Sequence, residues 1–227
     1  MKINELHQWD VDYQTARDIQ EKLQSRLIIK GDQRSFTLVA GADVSYNRGD
    51  DIFYASVVVM NIDTGSVVET AHHHGRMTFP YIPGLLSFRE GPVVLSAFEK
   101  LTITPDAVIF DGQGIAHPRG LGLAAHIGLI LDIPSAGCAK TRFVGEHEPV
   151  GREKGSSVPL MYNGGQVGVV LRTRTDVKPV FVSPGHRLDI EGAEHLVLSA
   201  VGKYRLPEPI RHAHNAVNTL RRELSGI

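Results

Sequence analysis

The chain has 227 residues, of which 42% are hydrophobic and 22% charged, and this composition is ordinary for a folded globular protein. No apolar run approaches the roughly 20 residues that cross a bilayer, and the N-terminal sequence MKINEL is too polar for a signal peptide. The single cysteine, Cys138, excludes an internal disulfide and a zinc–thiolate site. Together these features predict a cytoplasmic protein with no membrane association.

The net charge of −1 gives no general attraction to nucleic acid, whose phosphates supply most non-specific affinity. Basic residues are nevertheless concentrated in the middle and late parts of the chain. They are Lys140, Arg142, Arg152, Lys154, Arg172, Arg174, Lys178, Lys203, Arg205, Arg211, Arg221 and Arg222. Solvated surface is the simpler interpretation for most of them, and a local basic strip is the alternative. The global charge therefore weakens a nucleic-acid function without excluding it.

The first half of the chain predicts one helix followed by three strands. Apolar residues recur at helical spacing over residues 13–27. Strands are predicted over 36–46, 52–62 and 66–77, with the turn sequences NRGD and DTG between them. No internal repeat or Ser/Gly-rich linker divides the chain, so residues 1–227 are predicted to form a single domain.

The second half of the chain predicts alternating helices and strands. The predicted helices cover 85–101, 121–131, 189–201 and 209–223, and the predicted strands cover 107–111, 133–138, 167–173 and 180–182. Pro92 inside the first of these helices indicates either a late helix start or a kink. This order predicts an α/β protein with a ribonuclease H-like mixed sheet: three antiparallel strands, then parallel strands, with helices on both faces.

Two aspartates are each carried by an apolar strand. Asp43 lies within strand 36–46, and Asp111 ends strand 107–111. Taken alone, Asp43 also fits a hydrogen-bonded structural aspartate, and Asp111 also fits the first residue of a turn. If the two strands are neighbours, about 4.8 Å apart, both carboxylates can reach one cation. Mg²⁺ suits such a pair because it takes hard oxygen ligands, and it can activate water and stabilise the leaving oxygen of a phosphodiester.

Glu90 is a third acidic candidate. It stands two residues before Pro92, which suits the first turn of a helix. The alternative is an acid at a helix start, favoured there by the helix dipole. Periodicity does not decide between the two.

Several segments carry a family resemblance. They are AGADVS at 40–45, PYIPGLLSFRE at 80–90, DGQGIAHPR at 111–119, GCAK at 137–140, PGH at 184–186 and PEPIR at 207–211. Together they resemble endonuclease V, the deoxyinosine 3′-endonuclease family. The resemblance runs from near residue 9 to beyond residue 214 and so covers almost the whole chain.

The resemblance implies a ribonuclease H-like fold and a DNA repair endonuclease that uses Mg²⁺, with Mn²⁺ as a substitute. It implies cleavage of the second phosphodiester bond 3′ to deoxyinosine, the deaminated form of deoxyadenosine, leaving 3′-hydroxyl and 5′-phosphate ends. By family position, Asp43, Glu90 and Asp111 are the metal-binding carboxylates, and Lys140 holds the scissile phosphate. His214 occupies a further active-site position, where it binds metal or positions water.

Residues 80–83 are predicted to insert into DNA. Pro80 and Pro83 rigidify the loop, so an exposed Tyr81 and Ile82 would lose little entropy on insertion between bases. For an arbitrary loop of this sequence, packing of the ring onto the core is the simpler interpretation. In endonuclease V this segment is the strand-separating wedge, and the resemblance therefore favours insertion.

By family position, Leu86, Gly112 and Gly122 form the walls of a pocket for the deaminated base. Glycines allow backbone groups to approach a planar base closely, and backbone donors and acceptors can distinguish hypoxanthine from adenine.

His117 lies near the active-site motif, where it approaches the phosphate or supports the site from behind. His126, between apolar residues, is predicted to be a hydrogen-bonded core histidine. The run His72–His74 is predicted to be an exposed strand end rather than a metal site.

Three rival functions stay open. The first is an endonuclease whose target is inosine in RNA, and the second is an inosine-binding protein without catalysis. The third is a phosphatase with a similar pair of carboxylates, which would need no Tyr81 loop. The expected partner is deoxyinosine-containing DNA, with inosine-containing RNA as the alternative, and the expected state is a monomer.

Overall fold

The computed structural model describes residues 1–31 and 35–226. Within these ranges the chain forms five helices and eight strands. The helices are α1 Tyr13–Gln24, α2 Leu86–Glu99, α3 Leu123–Leu131, α4 Ile190–Ser199 and α5 Glu208–Ser225. The strands are β1 Leu38–Tyr46, β2 Ile52–Asn61, β3 Ser66–Arg76, β4 Ala107–Phe110, β5 Ser135–Ala139, β6 Ser157–Tyr162, β7 Gly165–Leu171 and β8 Val180–His186.

The strands form one mixed sheet in the order β3-β2-β1-β4-β5-β8-β7-β6. β1, β2 and β3 are an antiparallel meander, and β4 and β5 run parallel to β1. The sheet then continues antiparallel through β8, β7 and β6. The predicted α/β layout, with three antiparallel strands followed by parallel ones, is confirmed. The antiparallel far side is an addition that the order of elements did not predict.

Helices cover both faces of the sheet because neighbouring residues of β1 point to opposite sides. Ala40 packs in a core with Phe98 of α2 and Ile127 of α3. Val39 packs in a second core, with Ile210 of α5 and residues of α4. The predicted helices on both faces are therefore confirmed. Within the described ranges, no helix combines the length and apolar character needed to cross a membrane.

Two prolines explain where the structure departs from the sequence patterns. Pro92 lies inside α2, which begins six residues earlier at Leu86, so the late helix start is wrong. β6 was not predicted, and Pro159 in its middle is the reason. A proline cannot donate to a ladder and is tolerated mainly in edge strands, and β6 is the last strand of the sheet.

Helix α5 lies directly against β1 at Gly41. A Cβ at Gly41 would lie 2.3 Å from the carbonyl carbon of Pro209, which is too close for any side chain. The glycine in the AGADVS segment therefore lets α5 approach the sheet. This contact brings residues of the last helix next to Asp43, two positions further along the same strand.

Candidate active site

The parallel pairing of β1 with β4 brings Asp43 and Asp111 to the same level of the sheet. Ala42 pairs with Phe110, and each aspartate is the next residue in its chain segment. Removal from water raises the pKa of Asp43 above its ordinary value, and the hydrogen bond with His214 opposes that rise. The negative charge of Asp111 raises the same pKa further, so the two carboxylates lie close enough to repel each other.

Lys140 reaches the same place from β5. This strand is parallel to β4, with Gly137 paired to Phe110, and Lys140 follows its last residue, Ala139. The Lys140 ammonium forms an ion pair with Oδ2 of Asp111, whose side chain is 18% exposed. Because β1, β4 and β5 are parallel neighbours, their carboxyl-terminal halves carry Asp43, Asp111 and Lys140 to one region.

Glu90 approaches the two aspartates from α2. Burial raises the pKa of Glu90 to about 8, and the charge of Asp43 adds to the rise. The charge of Arg89 opposes it, and that of Asp111 contributes a smaller rise. The neighbouring carboxylates therefore oppose ionisation of Glu90 at this centre.

His214 joins the site from α5. Its Nδ1 lies 2.7 Å from Oδ2 of Asp43. Nδ2 of Asn218, one turn along the helix, lies 3.2 Å from Nε2 of His214 and donates to the His214 carbonyl at 2.8 Å. Asn218 in turn accepts a hydrogen bond from the hydroxyl of Ser45 at 3.1 Å. If Nε2 accepts from Asn218, Nδ1 carries the proton of a neutral ring and donates it to Asp43.

The residue types at this centre fit a divalent cation. The negative charges of Asp43 and Asp111 repel each other and oppose ionisation of Glu90, so a bound cation would relieve an unfavourable interaction. Over residues 1–31 and 35–226, however, no three His, Cys, Asp or Glu side chains are gathered closely enough to form a metal cluster. Asp43 faces His214 and Asp111 faces Lys140 instead. The assignment of Asp43, Glu90 and Asp111 as metal ligands stays a prediction.

A cavity of about 420 Å³ opens beside the acidic centre, and Asp111 and Lys140 form part of its wall. The predicted base-pocket residues Leu86, Gly112 and Gly122 all line it. Packing alone requires glycine at position 122, because a Cβ there would lie 2.4 Å from the Gln113 carbonyl oxygen. The structure thus gathers the three residues at one cavity, and their contact with a base stays a prediction.

The predicted wedge lies at the mouth of the same cavity. Tyr81, Ile82 and Pro83 line it, whereas Pro80 does not. Tyr81 is 65% exposed, and Ile82 packs against the buried Leu85 and Phe88. The expectation that both side chains are exposed is therefore wrong for Ile82, which anchors the loop. Tyr81 is the side chain that the loop presents to solvent.

The loop is fixed from beneath through the carbonyl oxygen of Gly84. This oxygen accepts hydrogen bonds from Nε2 of Gln20 at 3.0 Å, Nε2 of His117 at 3.0 Å and a guanidinium nitrogen of Arg119 at 2.8 Å. Nδ1 of His117 accepts from the Arg119 backbone N–H at 3.2 Å. Burial, aided by the charge of Arg119, lowers the pKa of His117 to about 4. His117 is therefore neutral and supports the loop, because both ring nitrogens already have partners.

Gln20 is a site residue that the sequence patterns missed. It is buried on α1 at helical spacing from Ala16, it lines the cavity, and it also accepts from Nε of Arg119 at 2.6 Å. The sequence did contain a signal for Gln20, because it is a polar residue on the apolar side of the predicted helix. Buried amides need hydrogen-bond partners, and here the partner is the loop that ends the PYIPG segment.

A buried chain of hydrogen bonds reaches the cavity wall at Ser87. Nδ1 of His7 lies 2.7 Å from the Gln8 carbonyl, which can only accept, so that nitrogen carries the proton. Nε2 of His7 therefore accepts from Nε2 of His126 at 2.7 Å, because burial lowers the pKa of both rings and keeps them neutral. Nδ1 of His126 must then accept from the Ser87 hydroxyl at 2.8 Å. His126 is a satisfied core histidine, as predicted.

The histidine run on β3 takes no part in this site. His72 forms a 2.7 Å hydrogen bond with the Ser56 hydroxyl, and its neighbours alternate along an edge strand. His74 is exposed. The run is thus part of an edge strand with partly exposed imidazoles, and its exclusion as a metal site stays a prediction.

Carboxylates and a lysine carried by parallel strands of a mixed α/β sheet, beside a cavity lined by Asp111 and Lys140, fit a nuclease. The chain belongs to the endonuclease V family, whose model matches residues 21–215. Endonuclease V of Myxococcus xanthus (strain DK1622) is 46% identical over 219 residues, which are 96% of this chain and 93% of that relative. The resemblance drawn from the motifs is confirmed.

Solved structures agree with this assignment. Endonuclease V from Streptomyces avermitilis superposes with a TM-score of 0.91 at 40% identity, covering 96% of each chain. Endonuclease V of Ciona intestinalis, in complex with a 24-mer DNA containing an inosine followed by a ribo-adenosine, gives a TM-score of 0.82 at 23% identity. That alignment covers 94% of this chain and 100% of the other, and at this identity it shows a shared fold.

Proposed function

We propose that the protein recognises deoxyinosine in DNA and hydrolyses the second phosphodiester bond on its 3′ side, leaving 3′-hydroxyl and 5′-phosphate ends. The observation that carries this proposal is a shared wall. Asp111 and Lys140 belong both to the acidic centre and to the cavity. A base held in the cavity would therefore bring the adjoining backbone next to the carboxylates. The inosine-containing DNA bound by the Ciona relative supports the same substrate.

Two features of the cavity wall suit hypoxanthine. α2 begins at Leu86 without a side-chain cap, so the N–H groups of Leu86 and Ser87 can donate to a ligand at the wall. Hypoxanthine has an acceptor oxygen at position 6, where adenine has an amino group. It also has a proton on N1, and the Ser87 hydroxyl, whose own proton is held by His126, offers an acceptor. Adenine would place its amino group, itself a donor, against the N–H groups of Leu86 and Ser87, and no hydrogen bond would form.

Each polar residue of the centre has a role in the proposed reaction. Lys140 holds the scissile phosphate and offsets the negative charge that develops on it. Asp43, Glu90 and Asp111 would hold Mg²⁺, for which Mn²⁺ can substitute. When bound, such a cation polarises the phosphate and lowers the pKa of water. His214 orients Asp43 through its Nδ1 proton, and Asn218 keeps the ring in that tautomer.

The proposed setting is the cytoplasm, with the protein acting as a monomer on DNA. Cys138, the only cysteine, is buried in β5, where burial raises the pKa of its thiol, so it offers no reactive thiolate. Inosine in RNA is the alternative substrate, because it presents the same base to the cavity. Matched oligonucleotides distinguish the two.

The decisive experiment is the cleavage of a duplex with one deoxyinosine, labelled at its 5′ end so that the product length maps the cut. Cleavage is expected two bonds 3′ to the lesion with Mg²⁺ or Mn²⁺, and none with a chelator. Asp43→Ala should bind the duplex without cutting it, while Asp18→Ala, an exposed carboxylate on α1, should cut normally. Chelator-resistant cleavage, or equal activity of Asp43→Ala, would overturn the proposal.

Two further arms address the rival functions. The same sequence with inosine in RNA tests for an endoribonuclease, which predicts faster cleavage of the RNA. A small phosphate monoester tests for a phosphatase, which predicts phosphate release that does not depend on Tyr81. Binding of inosine duplex without cleavage under every metal condition would indicate a binding protein.

A further inference from the structure

A second cleft lies on the other side of the acidic centre. Its volume is about 370 Å³, and its wall includes Lys140, Tyr204, Arg205, Arg211 and His214. Lys140 is shared with the base-sized cavity, so the two spaces adjoin at one residue. The aromatic residue of this cleft, Tyr204, belongs neither to the predicted wedge at residues 80–83 nor to the predicted base-pocket residues.

The catalytic carboxylates are placed between the two spaces. Asp111 lines the base-sized cavity and pairs with Lys140. Asp43 bonds to His214, which lines the second cleft. A strand that enters at the base-sized cavity and passes the carboxylates would therefore leave through the second cleft.

The second cleft combines an aromatic ring with positive charge. Tyr204 is 46% exposed, although it is a large aromatic residue. The Arg211 guanidinium lies over its ring, with the carbon 3.5 Å from the ring centroid, and Glu208 holds Arg211 from below at 2.7 Å. A base can stack on such a ring, and every base offers a π-face for this contact. Arg211 covers one face of the ring and fixes its position, so a nucleobase would stack on the opposite face.

The position of Lys140 is tied to the same cleft. One guanidinium nitrogen of Arg205 donates to the Lys140 carbonyl at 2.8 Å and to the Pro179 carbonyl at 2.7 Å. Arg205 thus anchors the backbone of the lysine while adding positive charge to the cleft wall. Three acids pair with the cleft wall: Glu208 with Arg211, Asp111 with Lys140 and Asp43 with His214. The Arg205 hydrogen bonds go to carbonyl oxygens, so its positive charge stays available to an anionic ligand.

We propose that the second cleft binds the part of the strand 3′ to the cut bond, with one base of the first four downstream nucleotides stacked on Tyr204 and the phosphates facing Arg211 and Lys140. This inference rests on the proposed function, which places the cut 3′ to the base in the first cavity. The 5′-phosphate end produced by cleavage belongs to this downstream part. The cleft therefore acts as a subsite for single-stranded nucleic acid and sets how much strand beyond the cut the enzyme needs.

The test varies the length of strand beyond the cut bond. Single-stranded deoxyinosine oligonucleotides with one, two, four and eight nucleotides downstream are cleaved under identical conditions. For wild type, kcat/KM should rise by about tenfold between one and four nucleotides, as one stacked base predicts. Tyr204→Ala should show less than about a twofold rise, whereas Tyr204→Phe, which keeps the ring, should retain most of it.

Two controls test whether the effect is specific to Tyr204 and to a stacked base. Tyr13→Ala removes a similarly exposed tyrosine, at 47% exposure, from α1 and should keep the full wild-type rise. Abasic nucleotides at the first four positions after the cut should reduce wild-type cleavage and leave Tyr204→Ala unaffected by the change. An identical rise in Tyr204→Ala and wild type would overturn the subsite while leaving the proposed function intact. Absence of wild-type cleavage on every oligonucleotide would overturn both.

Discussion

His214 on the last helix and Asp43 on the first strand are joined by a 2.7 Å hydrogen bond between Nδ1 and Oδ2. The two residues are separated by 171 positions in sequence. Asp43 is a largely buried carboxylate, with 18% of its side chain exposed, and His214 is the donor that compensates its burial. The pair therefore couples the geometry of the acidic centre to the docking of α5 on the sheet.

Asn218→Ala is expected to lower kcat by about tenfold while leaving the KM for inosine-containing DNA nearly unchanged, as loss of an orienting partner does at metal sites. The reason is that Asn218 fixes the His214 tautomer whose proton faces Asp43. Single-turnover cleavage at saturating DNA measures the effect. Thr219→Ala, an exposed change on the next residue, serves as the control. An Asn218→Ala rate within twofold of that control would argue against an orienting role.

Glu90→Gln is expected to stabilise the metal-free protein at high pH. The pKa of Glu90 is about 8 in the folded state and 4.5 in a model peptide, so the folded state holds the extra proton between these values. Stability of the wild type therefore falls as pH rises through that window. The glutamine carries no charge and should be more stable at about pH 8.5 by on the order of 2 kcal/mol, with little difference near pH 5.

Urea denaturation in a chelating buffer at the two pH values measures this difference. Mg²⁺ should then raise the stability of wild type and have little effect on Glu90→Gln, because a ligand that binds only the folded state stabilises it. Glu99→Gln, an exposed change on the same helix, should show neither response. Equal stabilisation of Glu90→Gln and wild type by Mg²⁺ would remove Glu90 from the proposed ligand set.

Tyr81→Ala is expected to weaken binding to a deoxyinosine duplex by about tenfold, and to weaken binding to the matching single strand much less. Insertion of an aromatic ring offsets the cost of unstacking, which amounts to a few kcal/mol in a duplex and is smaller in a single strand. Fluorescence anisotropy with both substrates measures the ratio. Tyr13→Ala is again the matched control. Equal losses on duplex and single strand would mean that Tyr81 is not a wedge.

His117→Gln is expected to make the fold less sensitive to acid. The pKa of His117 falls from 6.5 to about 4 on folding because the ring is buried. Between these two pH values the unfolded chain binds a proton at His117 and the folded chain does not. Acidification from pH 7.5 to 5.5 should therefore lower the free energy of unfolding of the wild type by roughly 1 kcal/mol through His117. Glutamine can still donate to Gly84 and does not titrate.

Denaturant midpoints of the two proteins at the two pH values give the comparison. The wild type should lose more stability than His117→Gln on acidification. His195→Gln, an exposed histidine on α4, should behave like the wild type. The same loss in His117→Gln and wild type would show that His117 is protonated in the folded state as readily as in the unfolded chain.

Local patterns were enough to predict most elements of the fold. Apolar patterns and turn sequences predicted β1 to β3 within one or two residues of their observed ends, although β2 is buried along most of its length and β3 is largely exposed. The same patterns could not tell that β1 pairs with β4. That pairing depends on packing across the whole sheet, and it is what brings Asp43 beside Asp111.

The site divides in the same way. Motifs pointed to Asp43, Glu90, Asp111, Lys140 and His214, and the structure gathers them in one region. The bond between His7 and His126 spans 119 residues, and nothing local to either histidine signals it. Tyr204 was missed for a similar reason, since its importance comes from the cleft around it rather than from its neighbours in the chain.

The contact of α5 with β1 has a consequence during synthesis of the chain. A ribosome that has translated β1 to α4 has released all three carboxylates and Lys140, but not the histidine that completes Asp43. The hydrogen bond that holds Asp43 therefore forms only when the last helix reaches the sheet at Gly41. A chain that stops before α5 would leave the Asp43 carboxylate without its histidine partner.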